Sequence, residues 1–168
     1  MEGQIVLMVG FGLEETGERI DAGDDRLTER LGGVHFDHPR GLAGHSDGDV
    51  IAHAFTDALL GAAGLGDIGS LFPSDDERYR GADSLELLAR AYADVTAAGY
   101  GLVNADCILI GEEPRIAPHR EEMRDRLAAA LGVDRERVNV RATTTDRLGF
   151  TGRREGLAAE AVALLCRV

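Results

Sequence analysis

Acidic, imidazole and hydroxyl side chains crowd one short stretch, His45-Ser46-Asp47-Gly48-Asp49, just before an apolar run that reaches about Leu65. Ser46 or Asp47 is the expected N-cap of a helix there, because a short polar side chain satisfies free N–H groups of the first turn. Asp49, His53 and Asp57 follow four apart, which sets them on one helix face. Val50, Ile51, Ala54, Phe55, Ala58 and Leu59 supply the packing faces. A carboxylate–imidazole–carboxylate stripe is costly to bury unless each member has a partner or a metal. The same pattern also describes an exposed polar face. His45 at one end and the turn Gly66-Asp67-Ile68-Gly69 at the other favour a site. An imidazole followed by a helix N-terminus suits an anionic ligand in its own right.

The bulk numbers restrict the ligand. The chain has 168 residues, 44% of them hydrophobic, and a net charge of -12. That charge argues against nucleic acid and anionic membranes as partners of the general surface. All 18 basic residues are arginine, which excludes a Walker-A lysine and Schiff-base chemistry. An anionic ligand therefore needs local arginines or helix N-termini. Cys107 and Cys166 have no CxxC spacing and lie in apolar runs, as expected of two buried, reduced thiols in a cytoplasmic protein. The first residues lack a basic leader followed by a long apolar core, and no segment reaches the ~18 apolar residues of a membrane span.

The elements that must position these groups alternate along the chain. Residues 4–9 read as a strand entering a turn at Gly10-Phe11-Gly12, and residues 14–29 as a surface loop or hairpin. Residues 31–36 predict a short strand and His38-Pro39-Arg40-Gly41 a turn. After the central helix, Asp83 or Ser84 caps a second helix over residues 85–98, ended by Gly99. Residues 102–110 read as a buried strand, 111–118 as a loop, 119–131 as a third helix closed by Gly132, and 138–143 as an alternating strand. Residues 157–168 are apolar throughout, and periodicity leaves helix and strand open there; both alternating faces of residues 156–167 are apolar, as in a strand covered on both sides. The expected fold is α/β in the layered α+β sense: a single domain over residues 1–168, a mixed sheet with helices on one face, and a partner subunit over the other.

Taken together, four stretches resemble the 2-C-methyl-D-erythritol 2,4-cyclodiphosphate synthase family of the non-mevalonate isoprenoid pathway. They are GHSDGDVIAHAFTDALLGAAGLGDIG, RGADSLELL, EEPRIAPH and VNVRATTTDRLGFTGRREGLAAEAVALL. The resemblance implies a homotrimer packing its sheets around the trimer axis, with sites between subunits. It implies a cytidine diphosphate ester as substrate, whose 2-phosphate attacks the β-phosphorus and releases CMP. It further implies a zinc ion and a magnesium or manganese ion on the diphosphate. Phosphoryl transfer depends on positioning and charge neutralisation more than on covalent chemistry, so metals suit a chain this poor in cations.

By the same resemblance, His45 and Thr144 match suggested transition-state stabilisers, and His53 matches a zinc ligand with Asp57 beside it. Ser46 and Asp49 belong to the stretch around the phosphate and methylerythritol. Asp67 and Gly69 match contacts to the methylerythritol hydroxyls, and residues 72–76, including Phe72 and Asp76, the neighbouring loop. Gly111, Pro114, Arg115, Ile116 and Ala117 match the loop that reads cytosine. Thr143 matches a residue at the diphosphate, and Asp146 stands where the second metal's carboxylate is expected. Phe150 lies in the matched C-terminal stretch, and Arg153 and Glu160 match a pair at the trimer axis.

One motif departs. The family's Gly-x-Gly-aromatic-Asp-x-His run reads Gly10-Phe11-Gly12-Leu13-Glu14-Glu15-Thr16 here, so Glu14 stands for the Asp and Thr16 for the His of two zinc ligands. A Thr hydroxyl is a poor zinc ligand. Glu14 with His53 is therefore expected to hold zinc weakly, with divalent ion arriving chiefly on the diphosphate. Two other outcomes share the ligand class: a non-catalytic paralogue that binds a cytidine nucleotide or an isoprenoid diphosphate, and a metal-assisted hydrolase of cytidine diphosphate esters.

Overall fold

The computed structural model describes residues 5–18, 30–37, 40–43 and 46–168. Strand β1 runs Ile5–Glu18 and β2 and β3, Arg30–Leu31 and Val34–His35, form a two-stranded hairpin. Strand β4 is Arg40–Ala43, followed by α1, Val50–Ala63, and the single turn α2, Ile68–Leu71. Helix α3, Ser84–Ala97, leads into β5, Tyr100–Ile110. Helix α4, Arg120–Leu131, leads into β6, Val138–Thr143. The turn α5, Gly149–Gly152, precedes β7, Gly156–Arg167.

The five-stranded sheet has the order β4-β1-β7-β5-β6. All neighbours are antiparallel except β5 and β6, which are parallel and register from Ala105↔Val138 to Ile110↔Thr143. A parallel pair needs a crossover, and α4 is its helix. Helices α1, α3 and α4 pack on one face. Their apolar stripes meet Leu102, Ala105, Cys107 and Leu109 of β5 and Ala159, Ala161, Ala163 and Leu165 of β7, all buried. The alanines of β7 have little bulk, so α1 can lie close over the middle of the sheet.

That close approach explains the largest departure from the sequence-based reading. No turn interrupts β1 at Gly10-Phe11-Gly12, and the strand continues to Glu18 rather than giving way to a loop at residue 14. These glycines mark a contact. A Cβ on Gly10 would stand 2.2 Å from the Ala54 carbonyl oxygen, and one on Gly12 would stand 2.7 Å from that of Val50. Glycine inside a strand signals such close backbone approach as readily as a turn. Residues 31–36 likewise form no single strand: Gly32 and Gly33, at φ 57° and 77°, turn the chain back as a hairpin. Residues 19–29, the His38-Pro39 turn and His45 lie outside the described residues.

Elsewhere the helix ends fall near their expected places. Asp83 caps α3 by accepting from the Leu85 N–H at 2.8 Å. Gly64 and Gly132 close α1 and α4 in the left-handed region at φ 72° and 64°. Of the two cysteines, Cys107 is buried as expected, while Cys166 is partly exposed on the second sheet face. No described helix is long and apolar enough to cross a membrane.

Candidate functional site

The N-terminus of α1 is built differently from the sequence-based reading. Asp49, not Ser46 or Asp47, is the N-cap. Its carboxylate accepts from the N–H groups of Ile51 and Ala52 at 3.2 and 3.1 Å, and from Gly32 and Gly33 at 2.9 and 2.6 Å. Asp49 is wholly buried, so its expected place on a ligand-facing stripe is corrected: it clamps the β2–β3 hairpin onto α1. A cap residue lies outside the helical periodicity, which is why the four-residue spacing misplaced it. Burial, partly offset by the Gly33 N–H, pushes its carboxyl up to about 6.

His53, one turn on, faces hydroxyls. Its Nε2 lies 2.9 Å from Ser46 Oγ and 3.1 Å from Ser84 Oγ. Ser84, the buried first residue of α3, also makes a short hydrogen bond to the Asp47 carboxylate. A carboxylate can only accept, so the Ser84 proton points to Asp47 and its oxygen is left to accept from His53. Ser84 was not foreseen, because nothing in sequence brings it to residues 37 and 31 positions earlier. Asp57 accepts from the Ile68 N–H at 2.8 Å and so ties α2 to α1. Its carboxyl is raised, chiefly by burial, with Asp67 adding to the shift and His53 opposing it. Asp67 caps α2, accepts from Ser70 N and Oγ at 2.7 Å, and is held below the usual carboxylate range by those bonds. Gly69 is exposed beside it, and a Cβ there would meet only Asp67 Oδ1, at 3.6 Å.

In the following loop, Phe72 is buried edge-on against Tyr79, with the Arg90 guanidinium 5.6 Å from its ring centre. Its ring therefore braces the loop expected to neighbour the ligand. Asp76 caps the turn Glu77–Tyr79 and binds Arg78 through both carboxylate oxygens.

A cavity of about 370 Å³ opens where β5 and β6 end side by side. Its walls are the loop after β5, with Gly111, Pro114, Arg115, Ile116 and Ala117, and the end of β6, with Thr143 and Thr144. The Gly111 N–H donates to the Thr143 carbonyl at 3.0 Å and joins the two walls. A Cβ on Gly111 would stand 2.2 Å from Leu157 Cδ2, so a larger residue there would have to turn that side chain aside. Arg120, from the first turn of α4, also lines the cavity and was missed; in sequence it reads as one more helix-surface charge.

Beyond Thr144 the chain takes a strained course. Asp146 and Arg147 have φ of 52° and 66°, outside the usual range of side chains that carry a Cβ. The Arg147 backbone packs where any Cβ on Gly152 would sit, and its N–H donates to Glu112 at 3.0 Å. Asp146 is exposed, with Thr144 Oγ1 3.5 Å from its carboxylate. Phe150 is exposed at 41% and Leu148 at 73%. Within the chain Arg153 pairs with Glu155 through two 2.8 Å bonds, and Glu160 is exposed.

The expected zinc ligands fall largely outside the described side chains. Among the described residues no group of three His, Cys, Asp or Glu is placed to hold a metal. The backbone sets Glu14 opposite Leu157 and Thr16 opposite Leu42, while their side chains lie outside the description. Among its described contacts, His53 Nε2 meets the hydroxyls of Ser46 and Ser84.

The cleft thus lies at the carboxyl ends of two parallel strands, a common place for small-ligand sites in sheets covered by helices. Residues 12–166 match the YgbB family model, and the chain belongs to that family. The 2-C-methyl-D-erythritol 2,4-cyclodiphosphate synthase of Rubrobacter xylanophilus is 61% identical over 137 residues, 82% of each chain. The bifunctional IspDF of Campylobacter jejuni superposes with a TM-score of 0.91 at 41% identity, over 99% of this chain and 43% of that longer one. The CDP complex of Plasmodium falciparum IspF superposes at 0.82 with 27% identity, over 99% of both chains.

Proposed function

We propose that this chain is a cyclodiphosphate synthase: it takes a cytidine diphosphate ester of methylerythritol 2-phosphate, forms 2-C-methyl-D-erythritol 2,4-cyclodiphosphate and releases CMP. The observation that carries this is the cavity between residues 111–117 and Thr143-Thr144, in a chain whose relatives bear that activity as their name. An oxygen of the 2-phosphate forms a bond to the β-phosphorus, and the bond from that phosphorus to the CMP oxygen breaks. The chain's part is to hold both phosphates in line and to meet charge on the departing group. Thr143 and Thr144 present hydroxyls at the cavity wall, and His45 and Ser46 act at the methylerythritol end. A divalent ion carried by the diphosphate would be held by Asp146, whose exposed carboxylate leaves lone pairs open, and would neutralise phosphate charge.

The site is proposed to be completed between subunits of a homotrimer in the cytoplasm, each subunit a single domain. Supporting this is the sheet face opposite the helices, where Ile108, Val162 and Leu164 are only partly covered and Val103 is 38% exposed. A non-catalytic cytidine-nucleotide binder is the second reading, favoured by Thr16 in place of a histidine. Incubation with the cytidine diphosphate ester and Mg²⁺ separates the two. The synthase releases CMP and cyclic diphosphate in equal amounts, and Thr144→Ala slows it by ~100-fold, the cost of one oxyanion-type donor. Tight CDP binding with no CMP released would overturn the synthase and leave the binder.

A further inference from the structure

A carboxylate in the wall of a cavity that takes a phosphorylated ligand repels that ligand unless it is turned to another task. Glu112 lines the cavity beside Gly111 and is partly buried. Its Oε1 accepts from the Arg147 N–H at 3.0 Å, in the turn that follows Thr144 of the opposite wall. That turn closes on itself: the Leu148 N–H donates to the Thr145 carbonyl at 2.9 Å, and Thr145 Oγ1 donates to the Leu148 carbonyl at 2.6 Å. Its two central residues, Asp146 and Arg147, both have positive φ, the pattern of a type I′ turn, where Asn, Asp and Gly dominate. Aspartate tolerates that region. An arginine rarely does, and persists there where its surroundings hold it. Arg147 is held by the close contact of its backbone with Gly152 and by the Glu112 carboxylate. The next residue of the same loop, Glu113, reaches the same segment: its Oε1 lies 3.5 Å from Nη1 of Arg154, which also has positive φ.

We propose that Glu112 is a positioning residue for the phosphate end of the site. It holds the turn at residues 145–148 in its left-handed form, and so sets the Thr144 hydroxyl and the Asp146 carboxylate toward the ligand's diphosphate. The inference rests on the synthase reading given above. Thr144 Oγ1 and the Asp146 carboxylate are 3.5 Å apart at the start of the turn, so a change in its backbone moves the pair. Misplacing such a group by about 1 Å can cost on the order of a hundredfold in rate. Glu112 thus belongs to one wall of the cavity and acts on the other. Its hydrogen bond to Arg147 needs an acceptor oxygen at the reach of a glutamate side chain; it does not need the negative charge.

The test compares Glu112→Gln, Glu112→Asp and Glu112→Ala in the full-length protein. Glutamine keeps an acceptor at the same reach without the charge. Aspartate keeps the charge and falls one methylene short, and alanine removes both. The readouts are kcat and KM for CMP release from the cytidine diphosphate ester with Mg²⁺, and calorimetric affinity for cytidine and for CDP with Mg²⁺. The thermal unfolding midpoint shows that each variant is folded at the assay temperature, and aspartate carries the comparison if alanine is not. The aspartate and alanine variants should lower kcat by about 10- to 100-fold and weaken CDP by about tenfold, with cytidine affinity little changed. Glu112→Gln should keep most of the wild-type kcat. An inactive glutamine variant beside an active aspartate variant would show that the charge acts, and the proposal falls. Unchanged kcat in the aspartate and alanine variants overturns it as well, and so does an equal loss of cytidine and CDP affinity, which places the action at the base. Wild type that releases no CMP overturns the synthase reading instead; the cytidine and CDP affinities of the same variants then decide the proposal.

Discussion

At the scale of single residues, the carboxylates of the central stretch divide by burial. Asp49 has four N–H partners and no exposure, so its work is structural. Asp49→Asn leaves at least one of those donors facing an amide N–H₂ and should lower the unfolding free energy by about 1–3 kcal/mol at pH 7, where the carboxyl is ionised. The pH dependence has a definite sign. The folded pKa, about 6, lies above the ordinary 3.8, so the favourable contribution of this group is complete below 3.8 and is lost as pH rises through 6. The gap between wild type and the asparagine variant should therefore narrow between pH 4 and 7, by up to about 3 kcal/mol for a shift near two units. Urea titrations of both proteins at the two pH values measure it; a gap that widens would show the four N–H bonds outweighing burial. Zinc belongs to the same scale. Protein purified without added metal should carry little zinc, and the pair Glu14→Asp with Thr16→His should raise the content toward one per chain by elemental analysis. Stoichiometric zinc in wild type, unchanged by the pair, would mean that residues 14 and 16 are misaligned with the Asp-x-His motif.

Among the elements, glycine has two unlike uses, and identical substitutions should separate them. Gly64 closes α1 at φ 72° with nothing within 4 Å of a prospective Cβ, so Gly64→Ala adds only left-handed strain, about 1–2 kcal/mol. Gly10→Ala drives a methyl to 2.2 Å from the α1 backbone and must lift the helix from the sheet. It should cost more than about 4 kcal/mol or prevent folding, as read from soluble yield and the urea midpoint. This contrast also marks what was legible in sequence. Elements whose signal is local were plain: the Asp83-capped α3, the glycine-closed α4 and the alternating β6. What depended on contact between distant segments was not. Glycines at 10 and 12 read as a turn because the helix that needs them lies some forty residues on. Asp49 read as a ligand-facing residue because its hairpin partners are 16 and 17 residues away. Arg120 and Ser84 carried no local signal, since each matters through a wall or a pair contributed by another element.

For the molecule as a whole, the uncovered sheet face makes an assembly prediction. Sedimentation at micromolar concentration should give a species near three times the 17.9 kDa chain. Leu164→Glu, on the open face, should shift it toward monomer without unfolding α1, because Leu164 points away from the helix layer. A clean wild-type monomer would remove the intersubunit site. The parallel pairing of β5 with β6 has a consequence for how the cavity responds to its ligand. Its two walls are separated by more than thirty residues of chain and are joined by the last rungs of one ladder, Ile110↔Thr143 and the Gly111 to Thr143 bond. Neither wall can fray without opening that ladder. An occupant that bridges them thus acts as a staple on the middle of the sheet, and amide hydrogen exchange at residues 109–111 and 142–143 should slow in step with nucleotide saturation, by about a hundredfold at a hundred times Kd.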